Sequence, residues 1–300
     1  MAVLPTRYDL LRARLERFSR AIPGVETGDI RAVHRTRVAS RRLRELLPTL
    51  QFEGKSAKLS HQVRKLTKRL GSIRETDVML LLIAELHESG RFPEPALRIV
   101  RDAAQSSRNE ARAEISGKSA AASLGRLVRK LDRASRKLEG AEDAQARRAW
   151  KWALDARVNR RALALSHAID KAGSVYLAER LHTTRIALKK LRYALELDIE
   201  SRGLKSTAEL RALKRMQDVL GRLHDFQVLV DHVRRVQASL APPHVTTWRD
   251  LDMLLTALEQ NSRRLHARYV GERQALLDIC DRLTRRGVTA RNAQRRPRAG

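Results

Sequence analysis

The stretch VHRTRVASRRLRELL (residues 33–47) has a close counterpart in LHTTRIALKKLRYAL (residues 181–195). Both stretches begin with an apolar residue followed by a histidine, His34 or His182, and both then place basic and apolar residues three or four positions apart. This spacing is typical of an amphipathic α-helix, in which residues three or four apart share a face. The sequence therefore predicts that the chain contains the same basic helix twice.

A second pair of similar stretches follows the first. LTKRLGSIRETDVMLL (residues 66–81) aligns with MQDVLGRLHDFQVLVD (residues 216–231), which places Gly71 over Gly221. The offset between these stretches is nearly the same as the offset between the two histidines. Two separate motifs in nearly equal register indicate an internal duplication. We expect one unit in residues 1–140 and a second unit in residues 141–284.

The periodicity of the whole chain indicates an all-α protein. Apolar residues recur at helical spacing in nearly every long segment, and no segment shows the sustained alternation of a strand. Gly, Pro and Ser interrupt this pattern and leave about four helices per half, which short loops would arrange as two four-helix bundles. The predicted helices cover residues 6–21, 28–52, 56–90, 93–138, 143–172, 175–202, 206–240 and 243–284. The remaining residues, 285–300, contain many Arg and no acid, and we expect a disordered basic tail there.

The composition limits the class of protein and the kind of partner that it can bind. The chain has 62 Lys and Arg against 34 Asp and Glu, a formal net charge of +28, which favours an anionic partner. General use of Arg as a solubilising residue is the alternative, and the placement of the charge decides between them. Cys280 is the single cysteine, which excludes an intrachain disulfide. The longest apolar run, residues 78–84, is too short to cross a bilayer, and the first residues lack the apolar core of a signal peptide. We therefore expect no membrane association and a cytoplasmic location.

The repeated helix concentrates its cations on one face. At 100° per residue, the basic positions of each copy fall in a narrow stripe, while Leu43 and Leu191 lie on the opposite, apolar face. Solvated helix faces usually mix charges of both signs, but neither stripe contains an acid. We therefore expect the stripes to bind a polyanion by contacts with successive phosphates. The stripes are His34, Arg37, Arg41 and Arg44 in the first copy and His182, Arg185, Lys189 and Arg192 in the second.

Further cations accompany the second repeated motif. Lys65 and Arg69 flank its apolar positions, and Lys214 and Arg215 align with Arg64 and Lys65. These side chains are candidates to border the same surface, although a solvated role is equally open for each alone. The nearby acids Glu75, Asp77 and Asp225 are expected to hold basic side chains by ion pairing and to have no catalytic role.

These motifs resemble those of the CHAD family, the conserved histidine α-helical domains, over almost the whole chain. In the second copy His224 stands where the first has Arg74, and Gln227 stands where the first has Asp77. These departures put the secondary contacts of that copy in doubt. The resemblance is carried by His34 to Arg37, Arg41 to Arg44, Leu70 to Glu75 with Asp77 and Val78, His182 to Arg185, Lys189 to Tyr193, and Leu220, Gly221, His224 and Asp225.

The resemblance implies two four-helix bundles related by a pseudo-twofold axis, with a basic groove or channel between them. It also implies binding of inorganic polyphosphate, and location at polyphosphate granules for some members. The oligomeric state stays open. The implied polyphosphate-binding residues are His34, Arg37, Arg41, Arg42, Arg44, Lys65, Arg69, His182, Arg185, Lys189, Lys190, Arg192, Lys214 and Arg215.

Three other functions are alternatives to polyphosphate binding. A metal site needs several convergent ligands, but each stripe histidine lies among cations, so we expect neither metal nor other cofactor. Polyphosphate hydrolysis requires carboxylates to hold metal ions, and the stripes offer only cations, so we expect no enzymatic activity. Nucleic acid is the stronger rival because phosphate contacts alone give sequence-independent affinity. Aromatic residues are only 4% of the chain, which disfavours base stacking, so we expect at most weak binding through the basic surface and tail.

Overall fold

A computed structural model describes residues 4–27, 29–50, 56–113, 118–141, 143–240 and 245–295. Within these residues the protein has nine α-helices, a short 3-10 turn after the second, and no strand, which confirms the all-α prediction. The helices are α1 (Arg7–Glu26), α2 (Ile30–Leu46), α3 (Ser56–Glu88), α4 (Glu94–Ala113), α5 (Lys118–Arg136), α6 (Ala144–Ala172), α7 (Ala178–Ser201), α8 (Ala208–Ala238) and α9 (Val245–Arg295).

The first five helices pack around the apolar face of α2. Helix α2 lies against α1 and α3, while α4 packs on α3 and α5 on α1. Leu43 and Leu46 of α2 are fully buried among residues of α1, α3 and α5. The apolar side predicted for the first repeated helix therefore forms the core.

The last four helices form a second packed group. Helix α6 contacts α7 and α9, and α8 contacts α7 and α9. Leu191 of α7 is fully buried in the core that these helices share. The second repeated helix thus also turns its apolar side inward.

The two groups of helices share apolar packing. Helix α2 packs on α7, and α3 packs on α8. Trp150 of α6 is buried in the core of the first group and donates a hydrogen bond to Thr49 Oγ1 at 3.3 Å. A third apolar cluster joins the carboxyl-terminal part of α3 and helix α4 to α8 and α9. The predicted division at residue 140 lies between α5 and α6, but burial of apolar surface continues across it.

One predicted helix boundary is wrong. The helix expected over 93–138 corresponds to α4 and α5, and residues 114–117 between them lie outside the described part of the chain. Helix α9 continues to Arg295, beyond the expected end at 284, since Arg, Ala and Gln favour helix even without an apolar face. Of the predicted tail, only residues 296–300 lie outside the described chain.

Across the described residues, no helix combines the length and apolarity needed to span a membrane.

Candidate functional site

The basic sides of α2 and α7 face each other, and Lys189 lies where they meet. Burial and the positive charges of Arg185, Arg41 and Arg37 together lower the pKa of the Lys189 ammonium to about 6, against the opposing effect of Asp225. Burial and nearby cations both disfavour the charged form of an ammonium group. The first and second repeated helices therefore bring their cations to one place.

Arg37 is fixed in position by α3. Its Nη1 donates a hydrogen bond of 2.6 Å to the carbonyl oxygen of Leu70. Burial, followed by the charge of Arg41, lowers the pKa of the Arg37 guanidinium to about 10, and Arg74 and Arg185 add to this effect. The side chain is thus held at the contact between α2 and α3, with cations from three helices around it.

Arg41 occupies the centre of this arrangement. Its charge lowers the pKa values of His34, Arg37 and Lys189, and also those of Arg74 and Arg185. Among the described residues, no hydrogen bond or ion pair engages its half-buried guanidinium. The Arg41 guanidinium therefore has donors that the described part of the protein does not use.

Two carboxylates lie close to these cations. Asp225 of α8 has a raised pKa because of its burial, although Arg185, Lys189 and Arg74 act in the opposite direction. Glu75 of α3 acts on Arg37 and Arg185. The third acid considered from the sequence, Asp77, is instead buried in an ion pair with Arg108 of α4 at 2.7 Å. Asp77 thus forms an ion pair as expected, whereas Glu75 and Asp225 lie near arginines without forming one among the described residues.

The row of cations continues beyond Arg41 toward α6. Burial lowers the pKa of Arg44, and the nearby Arg64, Arg41 and Arg161 contribute in the same direction. Burial also lowers the pKa of Lys190, together with the charges of Arg161, Arg44 and Arg64. We call Arg37, Arg41, Arg44, Arg74, Arg185, Lys189 and Lys190 the α2–α7 cluster.

Glu45 offsets part of the charge at this end. Its carboxylate pairs with Arg157 at 2.7 Å and with Arg161 at 3.3 Å, and its side chain is nearly buried. The Glu45 carboxylate is therefore mainly paired with α6, while Arg44 and Lys190 have no ion pair of their own among the described residues.

The predicted histidines lie at the margin of the cluster in different environments. His34 is exposed, and its pKa is lowered by its partial desolvation and by Arg74, Arg37 and Arg41. His182 approaches His224 of α8, with 3.3 Å between their Nδ1 atoms. Burial, followed by Arg185, lowers the pKa of His224 to about 3. Within the described chain, no three His, Cys, Asp or Glu side chains converge as metal ligands would.

Several residues predicted for the site are engaged by the protein or lie elsewhere. Arg192 donates to Gln217 Oε1 at 2.7 Å, bonds to Glu196 and stacks over the Tyr193 ring at 4.2 Å. Arg42 lies 3.5 Å from Glu196. The fixed partners of Arg192 and Arg42 come from α7 and α8, so these cations reinforce helix packing.

The cations flanking the second motif do not join the cluster. Lys65 and Arg69 are exposed beside a cleft between α3 and α5, and Arg215 lies beside another between α8 and α9. Lys214 is exposed and has no described contact with the stripes. Their separation from the α2–α7 cluster follows from helix geometry, because the side chains of adjacent residues point about 100° apart.

Sequence reasoning did not place Arg64, Arg74, Arg161 or His224 in the site. Arg74 follows Gly71 by nearly one helical turn, and this spacing on α3 was the available signal. Arg64 precedes Gly71 on the same face by two turns. Arg161 gave no signal, because α6 belongs to neither repeated motif.

Comparison with known proteins identifies the family. The sequence pattern of the CHAD domain matches residues 9–234. The crystal structure of the CHAD domain from the plant Ricinus communis is similar, with a TM-score of 0.56 and 22% identity over 91% of this chain and 90% of that one. PptA from Streptomyces chartreusis is also similar, with a TM-score of 0.55 and 16% identity over 94% of this chain and 98% of that one. No curated protein matches the chain. At these identities the two structures support the fold alone, and the domain pattern, which spans most of the sequence, shows that this chain belongs to the CHAD family.

Proposed function

We propose that this protein binds inorganic polyphosphate along the α2–α7 cluster and does not hydrolyse it. The observation that carries the proposal is the convergence of Arg37, Arg41, Arg185 and Lys189 around one partly buried place, where each cation destabilises the charge of its neighbours. Such mutual repulsion is relieved by a ligand that brings several negative charges at close spacing. Guanidinium groups suit this role because they donate charge-assisted hydrogen bonds to phosphate oxygens.

The proposal includes a duplicated architecture with a basic groove between the halves. Equivalent helices meet in pairs, α2 with α7 and α3 with α8, which is the arrangement expected of two repeats related by a pseudo-twofold axis. The groove would follow the cluster from His34 and Arg74 at one end to Arg44 and Lys190 at the other. A linear polyanion fits such a track better than a compact ligand does.

The composition of the site favours polyphosphate over nucleic acid. Tyr193, the aromatic residue beside Arg192, is buried beneath it and presents no free face. Without exposed rings the site offers no platform for stacked bases, whereas bare phosphates need none. We therefore place nucleic acid second, as a ligand held by charge alone.

A binding role without catalysis follows from the acids of the cluster. Phosphoryl transfer uses carboxylates to hold metal ions beside the phosphate. Glu75 and Asp225 each lie among arginines, which compete with a metal ion for the carboxylate oxygens. We propose that the protein acts in the cytoplasm as a polyphosphate-holding component, including at polyphosphate granules.

Isothermal titration calorimetry at physiological salt tests the ligand. Long-chain polyphosphate should bind more tightly than duplex DNA or single-stranded RNA matched for phosphate concentration. Equal or tighter binding of either nucleic acid would overturn the assignment. Incubation with polyphosphate and Mg²⁺ should release no orthophosphate above a protein-free blank, and enzymatic release would contradict the non-catalytic role.

A further inference from the structure

A cleft separate from the helix stripes lies between α6 and α7. It encloses about 530 Å³, a volume within the usual range of small-molecule sites. Its floor is apolar and shallow, built from Ala164, Ala168, Ile186 and Ala187. Ile186 is 38% exposed there, and Ala164 is also exposed, so apolar surface faces solvent inside a basic region.

The two ends of the cleft differ in character. Arg161 and Lys190 form one end, and the neighbouring Arg44 and Arg64 increase its positive potential. The other end is lined by Lys171, Glu179 and Arg180, and the Arg180 guanidinium donates a hydrogen bond of 3.1 Å to the Lys171 carbonyl oxygen. Positions 161 and 171 are ten residues apart on one helix, so the ends are separated by about 15 Å.

We propose that the α6–α7 cleft binds a nucleoside triphosphate. The phosphates would lie at Arg161 and Lys190, the sugar and base would cover the floor of Ala164, Ala168 and Ile186, and the edge of the base would reach Glu179. A carboxylate at that end accepts hydrogen bonds from the amino and ring N–H groups that nucleobases carry.

Inorganic polyphosphate would use fewer features of the cleft than a nucleotide would. Polyphosphate would gain nothing from the apolar floor or from the Glu179 carboxylate. A ligand with an apolar ring and a charged tail uses both parts, because burial of the ring against the floor contributes free energy that phosphate contacts alone do not. The cleft shares Lys190 with the α2–α7 cluster, but its apolar floor and Glu179 lie outside that cluster, and nucleotide binding there does not rest on the proposed function.

Calorimetry with the full chain tests the site by comparing ATP, inorganic triphosphate and adenosine. ATP should bind more tightly than either fragment. The variant Ala164→Trp fills the floor of the cleft from an exposed position. It should weaken ATP binding by about tenfold, because the ligand loses a small area of apolar contact. Leu163→Trp is the matched control, because Leu163 is the adjacent exposed residue and does not line the cleft. It should leave ATP affinity unchanged, with circular dichroism reporting the helicity of both variants.

Two results would overturn the proposal. Triphosphate binding as tightly as ATP would show that the floor contributes nothing. Loss of ATP binding in the Arg41→Ala, Arg185→Ala double variant, with Ala164→Trp unaffected, would place ATP on the α2–α7 cluster. Retained long-chain polyphosphate binding in Ala164→Trp separates this test from that of the proposed function.

Discussion

Arg37 Nη1 donates a hydrogen bond of 2.6 Å to the carbonyl oxygen of Leu70, and the next residue, Gly71, leaves the space that the guanidinium occupies. A Cβ at Gly71 would lie 3.3 Å from Arg37 Nη1. Glycine at position 71 therefore leaves room for a cation of the α2–α7 cluster. Gly221, which aligns with Gly71 in sequence, has no atom within 4 Å of the position that a Cβ would take.

The substitution Gly71→Ala should separate stability from binding. Alanine favours a helix interior by about 0.5–1 kcal/mol over glycine, so the fold should not be weakened. The added methyl group should displace the Arg37 guanidinium and lower polyphosphate affinity several-fold. Gly221→Ala is the matched control and should stabilise the protein without a change in affinity. Thermal melts and calorimetry measure the two effects, and equal affinities of the two variants would contradict the role given to Gly71.

Replacement of four basic residues of the cluster should weaken polyphosphate binding strongly. In the variant with Arg37, Arg41, Arg185 and Lys189 replaced by Gln, the affinity should fall and depend less steeply on salt, because fewer counterions are exchanged on binding. Helicity should be retained, since these side chains lie opposite the apolar cores. Measurement of affinity across a range of NaCl concentrations gives the slope.

A control with four substitutions outside the cluster tests whether position matters. Lys65, Arg69, Lys214 and Arg215, replaced by Gln, remove four positive charges from exposed sites outside the cluster. This variant should keep most of the affinity. If both variants lose the same affinity, net charge and not the α2–α7 cluster governs binding.

Polyphosphate binding should take up protons through Lys189. Arg185, Arg41 and Arg37 face this ammonium together with Asp225, and its pKa in the free protein is about 6. Bound phosphate favours the charged form of Lys189 and raises its pKa. At a pH between the pKa values of the free and bound states, binding therefore adds a proton to Lys189. Affinity should therefore be greatest near and below pH 6 and should decrease as the pH rises.

Calorimetry in buffers of different ionisation enthalpy counts these protons. Near pH 7.5, about one proton per site should be taken up when the pKa shift spans that pH. Lys189→Arg keeps the positive charge at all accessible pH values and should remove this uptake. Equal proton uptake by the wild type and Lys189→Arg would refute the assignment to Lys189.

Truncation of buried side chains should lower the stability of the fold and should not act on ligand binding directly. Leu43 and Leu191 are fully buried on the sides of α2 and α7 opposite the cations. Replacement of either by Ala should lower the free energy of unfolding by about 2–5 kcal/mol. Leu81→Ala, at an exposed position of α3, should cost far less. Urea unfolding measures these differences, and a loss at Leu43 no larger than at Leu81 would contradict its place in the core.

The sequence predicted the all-α class because helical periodicity is a local property that survives in nearly every segment. It also separated the charged side from the buried side of the repeated helices, as Arg41 and Leu43 illustrate. It did not predict that α9 continues to Arg295. Residues beyond 284 lack the apolar period that marks a packed helix, and helix propensity alone carries α9 through them.

The amino-acid sequence by itself therefore determined which helix faces carry cations and which carry apolar residues, since both follow from side-chain spacing along one helix. Only the tertiary structure decided which cations meet. Arg192 shares its stripe with Lys189, yet Gln217, Glu196 and Tyr193 engage it. Arg74 of α3 belongs to the cluster and Arg161 of α6 lies beside it, because the packing of their helices brings them near. The physical reason is that electrostatic contact depends on distance in space, and residues from α2, α3, α6 and α7 come within reach of one another only when the apolar faces of those helices are buried together.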